Sequence, residues 1–424
     1  MPGKVLIITY YWPPSGGAGV QRWLKFAKYL PSTGWFPVVL TVKPEYAAYP
    51  FKDDSLTDEI PVDVEVRKTK ATNYFSLYSK DQSKIPSGGF ANNPGKGLKN
   101  TISRFLRGNL FIPDPRRGWN RYAVREASRL IEEEDITHVI TTSPPHSTQL
   151  IGLRLKKKYP HIKWIADLRD AWTDIYYYDH FYPTAVAKSI DNYYEKSVIQ
   201  GADKIITVGN NLSQVFSSKA DWVTSKFAVL PNGFDEEDFE GISSISPERF
   251  TITYVGTLSD IYPTDSLFKA LGELEKEGKD FVIRFVGSLP PETKEKIEKQ
   301  VSSEKTEFIP YTEHPNAIRL MASSSVLVII IPETKESRSI TPGKVFEYIA
   351  MQKPVLYIGP EDGDAAFHLR HCGYKGIFNP EESDRIFEFL NKMSEDRNKI
   401  HHLHHLEYSR RTLTNDLGNI LNQI

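Results

Sequence analysis

Two successive α/β units, each a parallel sheet crossed by helices, are predicted by three features of this 424-residue chain. Short β-branched runs lack the period-two alternation of half-exposed strands, which marks strands buried on both faces. Between them stand segments with apolar residues at i, i+3, i+4 and i+7, the spacing of helices that cover a sheet. The series runs once, breaks and starts again, and the length accommodates two domains of ordinary size.

The first series contains "KVLIITYY" (4–11), "WFPVVLTV" (35–42), "THVITTS" (137–143), "KWIADL" (163–168), "DKIITV" (203–208) and "KFAVLP" (226–231). The helix after the first run sets Val20, Trp23, Leu24, Ala27 and Leu30 on one face, and similar patterns occupy 119–134, 146–158 and 183–200. Residues 45–112 are the poorest in pattern. Their stretch "SKIPSGGFANNPGKGLKN" (83–100) is rich in turn-forming residues and is expected to be a mobile excursion. After Gly233, "DEEDFEGISSISPERF" reads as a boundary loop, giving a first domain over 1–235 and a second over 236–404.

The second series contains "FTITYVG" (250–256), "FVIRFVG" (281–287), "TEFIPY" (306–311), "SVLVIII" (325–331), "KPVLYIG" (353–359) and "KGIFN" (375–379). Three of these runs end in glycine, at Gly256, Gly287 and Gly359, which puts flexible backbone at the carboxyl edge where open α/β sheets bind ligands. Both series therefore read as Rossmann-like units. From about residue 396 the tail has no strand to follow. Leu403, Leu406, Leu413, Leu417, Ile420 and Leu421 form an apolar side, and 405–424 is expected to pack back on the first domain.

Composition narrows the function. With 40% hydrophobic and 25% charged residues the chain is an ordinary globular protein, and a net charge of −1 gives no overall footprint for nucleic acid. The single Cys372 excludes an internal disulfide framework and fits a reducing, cytoplasmic address. The opening apolar run is too short for a signal peptide, and no run reaches the ~18 apolar residues of a membrane span. One local patch stands out. Residues 96–129 hold Lys96, Lys99, Arg104, Arg107, Arg116, Arg117, Arg121, Arg125 and Arg129 against Asp114 and Glu126, interleaved with Phe105, Leu106, Leu110, Phe111, Ile112 and Trp119. That mixture suits an anionic membrane surface, at the inner face of a membrane, or a lipid diphosphate; it equally describes a solvated basic helix face.

Two constellations carry chemistry. In "ITYYWPPSGGAGVQRWLKFAKYL" (8–30), Gly16, Gly17 and Gly19 lie between a strand and a helix, where bare N–H groups and the positive helix end meet an anion or sugar hydroxyls. The dinucleotide fingerprint fails there, because Gly19 is followed three residues later by Arg22. In "SITPGKVFEYIAMQKPVL" (339–356), a helix expected to start at Thr341 or Pro342 opens with Gly343. Lys344 and Glu347 share one face of it, so phosphates fit the helix end and a ribose fits the carboxylate one turn deeper.

"YWPPSGGAGVQRWLKFAKYLPSTGWFPVVLT", "ADKIITVGNNL", "VLPNGFD", "ITYVGTL" and "PGKVFEYIAMQKPVL" resemble, in order and spacing, the retaining nucleotide-sugar glycosyltransferases of family 4. The resemblance implies the GT-B fold: two facing Rossmann-like domains with an interdomain cleft and a C-terminal helix that crosses back. It implies a nucleotide-sugar on the C-terminal domain, a saccharide or lipid-linked acceptor on the N-terminal one, and transfer without a metal or other cofactor. Donor contacts then fall on Gly16, Gly17, Gly256, Thr257, Arg338, Gly343, Lys344 and Glu347.

Departures accompany the likeness. The first of the family's paired glutamates is replaced by Ser339, and "GTLSDIYPTD" after Gly256 lacks the usual Arg and Lys, which leaves Lys335, Arg338 and Lys344 to supply charge. The family's active-site His gives way to Arg169 in "ADLRDAW", flanked by Asp167 and Asp170, the catalytic candidates. "TTSPPHST" (141–148) offers Ser143 and His146 on the acceptor side. In "HHLHH" (401–405), His401 and His405 stand at i, i+4 but no third ligand is suggested and the chemistry resembled needs no metal, while Asp362-Gly363-Asp364 reads as a turn. A UDP-sugar 2-epimerase and a non-catalytic sugar-nucleotide-binding protein are the alternatives.

Overall fold

The computed structural model describes residues 3–50, 52–74, 98–220, 225–242, 247–395 and 405–424. They divide into two compact units, Met1–Asn232 with Arg410–Ile424, and Gly233–Ser409. The first unit holds β1 (Gly3–Ile8), β2 (Trp35–Val42), β3 (Glu65–Thr69), β4 (His138–Ser143), β5 (Lys163–Leu168), β6 (Lys204–Thr207) and β7 (Phe227–Val229). All pair in parallel, in the order β3-β2-β1-β4-β5-β6-β7. β1 is the switch point of this order: chain connections leave it toward opposite edges, and a crevice opens at the carboxyl ends of β1 and β4.

Both faces of that sheet are covered. Val5 and Ile7 of β1 pack with Val20, Trp23, Leu24, Ala27 and Leu30 of helix Ala18–Tyr29 and with Leu413, Leu417 and Leu421 of the last helix, Arg410–Asn422. Leu6 and Ile8 face the other core, built with helices Asn120–Glu133 and Gln149–Lys158. The last helix thus completes the first unit, and Trp35 Nε1 donates to Asn422 Oδ1 at 3.0 Å. Leu406 remains exposed and Leu403 lies outside the described residues.

The second unit holds β8 (Phe250–Val255), β9 (Phe281–Val286), β10 (Thr306–Ile309), β11 (Val326–Ile330), β12 (Val355–Ile358) and β13 (Ile377–Phe378). Their order is β10-β9-β8-β11-β12-β13, again all parallel, so the switch point falls between β8 and β11. Gly256 and Gly287, which end β8 and β9, have φ of 131° and 125°, where L side chains are strained. A Cβ on Gly287 would also collide with the Gly256 carbonyl.

Three features depart from the expectations. β3 was not anticipated, because "EVRKT" at the sheet edge is exposed and shows no apolar run. The thinly patterned region also contains an amphipathic helix, Leu98–Leu110; most of 83–100 lies outside the described residues. The helix bearing Glu347 spans Lys344–Met351, with Gly343 as its cap, so it starts two or three residues later than expected. Among the described residues no helix is long and apolar enough to cross a membrane.

Candidate functional site

At the carboxyl edge of the first sheet, a cavity of about 320 Å³ lies within the first unit. The glycine loop after β1 contributes Gly16 and Gly19, the turn after β4 contributes His146, and the turn after β5 contributes Arg169 and Asp170. Tyr11, Trp172, Tyr177 and Phe181 add aromatic walls, and Arg107 comes from helix Leu98–Leu110.

Arg169 and Gly19 explain each other. A Cβ on Gly19 would stand 2.5 Å from both Nη atoms of Arg169, so the glycine is what lets the guanidinium lie against the helix start. Arg169 Nε is 4.0 Å from Asp167 Oδ2 and, though buried, makes no hydrogen bond. Asp170 lines the cavity, where desolvation by the surrounding walls raises its pKa against the opposing pull of Arg169. His146 stacks on Trp172 with ring centroids 4.7 Å apart. Burial holds its pKa down at about 3, only partly offset by a hydrogen bond with the Ala171 backbone, so the ring is neutral at pH 7. Trp172 is fixed in turn, since its Nε1 donates to Asp191 at 2.7 Å. Burial raises Asp191 to about 6.

Asp167 has a different place from its neighbours. Its side chain is fully buried and accepts from Arg22 Nη2 at 3.0 Å, Trp23 Nε1 at 2.8 Å and Thr142 Oγ1 at 2.7 Å. Arg22 is equally buried and also donates to the Pro231 carbonyl at 2.8 Å. This is a fully buried ion pair that does not line the cavity, and its link to the site is Arg169. Ser143 also turns inward, accepting from Gln149 Nε2 at 3.1 Å. Gly17 caps the helix with φ of 107°.

The second unit gathers another set at its own switch point. Lys344 Nζ donates to the Val255 carbonyl at 2.9 Å and lies 3.6 Å from the centroid of the Tyr254 ring. It would be 3.5 Å from a Cβ on Gly256. Crowding against β8 strips water from this ammonium and lowers its pKa to about 7, although nearby Glu347 raises it. Glu347 Oε1 is 3.0 Å from His314 Nε2, both side chains being partly exposed. Thr257 is exposed beyond Gly256. Arg338 turns elsewhere, pairing with Asp362 at 2.8 Å on the surface beside a separate hollow of about 440 Å³.

Tyr11, Trp172, Tyr177 and Asp191 were missed by sequence reading; they are ordinary aromatic and acidic residues until folding brings positions 11, 146, 169 and 191 together. His401 lies outside the described residues, and His405 contacts Gln352. Among the described residues no group of three or more His, Cys, Asp or Glu is placed to hold a metal.

No family model and no curated protein matches this chain. Solved structures similar over the full length include sucrose-phosphate synthase from Thermosynechococcus elongatus, at 12% identity and a TM-score of 0.64, covering 99% of this chain and 98% of that one. The lipopolysaccharide outer core galactosyltransferase WaaB is similar at 12% identity and TM-score 0.61, covering 99% and 100%. Anabaena Alr3699/HepE, in complex with UDP-glucose, is similar at 14% identity and TM-score 0.57, covering 99% and 100%. With its two parallel-sheet units and these full-length likenesses, the chain has the GT-B fold.

Proposed function

We propose that this protein transfers a sugar, with retention, from a nucleotide-diphosphate donor to an acceptor hydroxyl, in the synthesis of a polysaccharide or glycolipid. The observation that carries the reading is the seat of Lys344: its Nζ sits at the switch point of the second sheet beside Gly256, at the start of a helix that bears Glu347 one turn on. A diphosphate fits such a helix start, and a cation there stabilises the charge that develops as the glycosidic bond to the diphosphate breaks. Glu347 accepts the ribose hydroxyls, giving up a partly exposed contact with His314 that is worth little.

In the first unit, the aromatic walls of the cavity suit the C–H faces of a saccharide, while Arg169 and Asp170 suit its hydroxyls. Arg169 and Asp170 are the groups assigned to touch the acceptor, and Asp167 positions Arg169 from beneath. The structural likenesses support the reading at the level of fold, which hosts more than one chemistry.

A second reading has one observation in its favour. Ser339, at the position of the family's first paired glutamate, spends its hydroxyl on the Glu336 carbonyl at 2.9 Å and offers no carboxylate. A protein that binds nucleotide-sugars without turnover would tolerate that. Incubation with nucleotide-sugars, with and without saccharide or lipid-linked acceptors, separates the readings. Acceptor-stimulated release of nucleoside diphosphate is expected of a transferase. Binding without release marks the non-catalytic protein, and a sugar isomerised while still attached to its nucleotide marks an epimerase.

A further inference from the structure

We propose that the outer face of helices Leu98–Leu110 and Ala185–Gly201 docks the first unit on an anionic lipid bilayer. On the first helix Ile102, Phe105, Leu106 and Leu110 are 37–63% exposed, at the spacing of one helical stripe. On the second, Val186, Ile190 and Tyr193 follow i, i+4, i+7 and are 39–70% exposed. Monomeric proteins seldom leave large apolar side chains exposed in such stripes without a use for them.

The stripes belong to one surface. Asn109 Nδ2 donates to the Tyr182 carbonyl at 3.0 Å, and the Thr184 amide donates to Asn109 Oδ1 at 2.8 Å, so the end of the first helix is tied to the start of the second. Gly108 lies against Phe181 so closely that a Cβ would strike its carbonyl.

The charges choose the occupant. Helix Leu98–Leu110 contains no acidic residue; its Arg104 is partly exposed, while Arg107 turns to the cavity and stacks on the Phe181 ring. On the second helix both acids, Asp191 and Glu195, are buried, which leaves Lys188 and Lys196 as its outward charges, with Asp179 pairing Lys188. An apolar face on two helices that expose cations and no acid matches the acyl boundary and anionic headgroups of a bilayer.

Arg107 and Gly108 of the first helix, and Phe181 and Pro183 just before the second, also border the cavity of the first unit. A bilayer-anchored acceptor would therefore enter beside the docking face. That corollary rests on the transferase reading, but the docking itself does not, and its test uses no turnover.

Flotation with vesicles of neutral phospholipid, with and without about a third of anionic phospholipid, tests the proposal. Binding is expected on the anionic vesicles only, weakening as salt rises. Cys372 is buried, so the F105C variant takes a thiol-reactive, environment-sensitive dye at one exposed position; its emission is expected to shift to the blue with vesicles. The I102S/F105S/L106S variant is expected to lose roughly a hundredfold in partitioning with an unchanged melting temperature, and R104E to lose a smaller factor. Absence of binding to anionic vesicles at low salt would overturn the proposal. So would binding that the serine variant leaves intact. A dye shift that appears with protein concentration alone would assign the face to a second copy of the chain instead.

Discussion

The guanidinium of Arg169 rests on the bare Cα of Gly19, with both Nη atoms 2.5 Å from where a Cβ would stand. The contact joins the turn after β5 to the helix start after β1, and it fixes a charge at the cavity wall without a single hydrogen bond to Nε. Gly19→Ala should push Arg169 aside while leaving the helix intact. Turnover is expected to fall by about one to two decades, the scale of a misplaced catalytic contact, with a melting temperature close to wild type. A normal rate in the folded variant would remove Arg169 from the reaction.

Asp167 is expected to behave in the opposite way. Its partner Arg22 is fully buried, where desolvation lowers the guanidinium pKa and the Asp167 charge opposes that fall. Asp167→Asn keeps the shape and leaves Arg22 uncompensated, so denaturant titration should show a loss of about 3–5 kcal/mol. Stability within about 1 kcal/mol of wild type would mean that the pair carries little of the fold.

These two residues show how far the sequence could be read. The strands were legible because both faces are buried, so β-branched runs such as "SVLVIII" announce themselves; β3 was not, because an exposed edge strand carries no such signal. Arg169 and Asp170 were placed at a strand end and they do line the cavity. Asp167, three residues from Asp170, was grouped with them because alternation inside a buried strand does not reveal which side chain meets a partner. Its partner stands 145 residues away, at Arg22. Lys344 and Gly256 were both singled out, but that Lys344 reaches the carbonyl before Gly256 is a fact of packing between β8 and the helix after β11.

If Lys344 meets the donor diphosphate as proposed, nucleotide binding is expected to depend on pH. Its pKa is lowered from 10.5 to about 7, and the charged form is the one that meets a diphosphate. Affinity should therefore be highest below pH 7 and weaken above it, by up to about tenfold per pH unit, as binding has to take up a proton. Calorimetry at pH 8 in buffers of different ionisation enthalpy should register that uptake; none would place the diphosphate elsewhere. Between pH 7 and 10.5 the unfolded chain binds the extra proton, so this group makes stability rise with pH across that window.

Replacing the same side chain separates binding from folding. Lys344→Met keeps the stem that packs on Tyr254 and removes a poorly hydrated charge, so the melting temperature should hold or rise. Nucleoside diphosphate affinity is expected to drop at least tenfold. A sharp fall in melting temperature would mark Lys344 as a structural residue.

The most direct test of the nucleotide-sugar reading is a calorimetric titration of the wild-type protein and Glu347→Gln with a panel of nucleoside diphosphates. At least one nucleotide is expected to bind wild type, and the variant to lose roughly 2–3 kcal/mol, about two decades in affinity, the scale of a charge-assisted hydrogen-bond pair to the ribose. Because Glu347 contacts His314 only at a partly exposed site, the variant should fold normally. Equal affinity of the two proteins for every nucleotide would contradict the role of Glu347, and no nucleotide binding to wild type would contradict the reading as a whole.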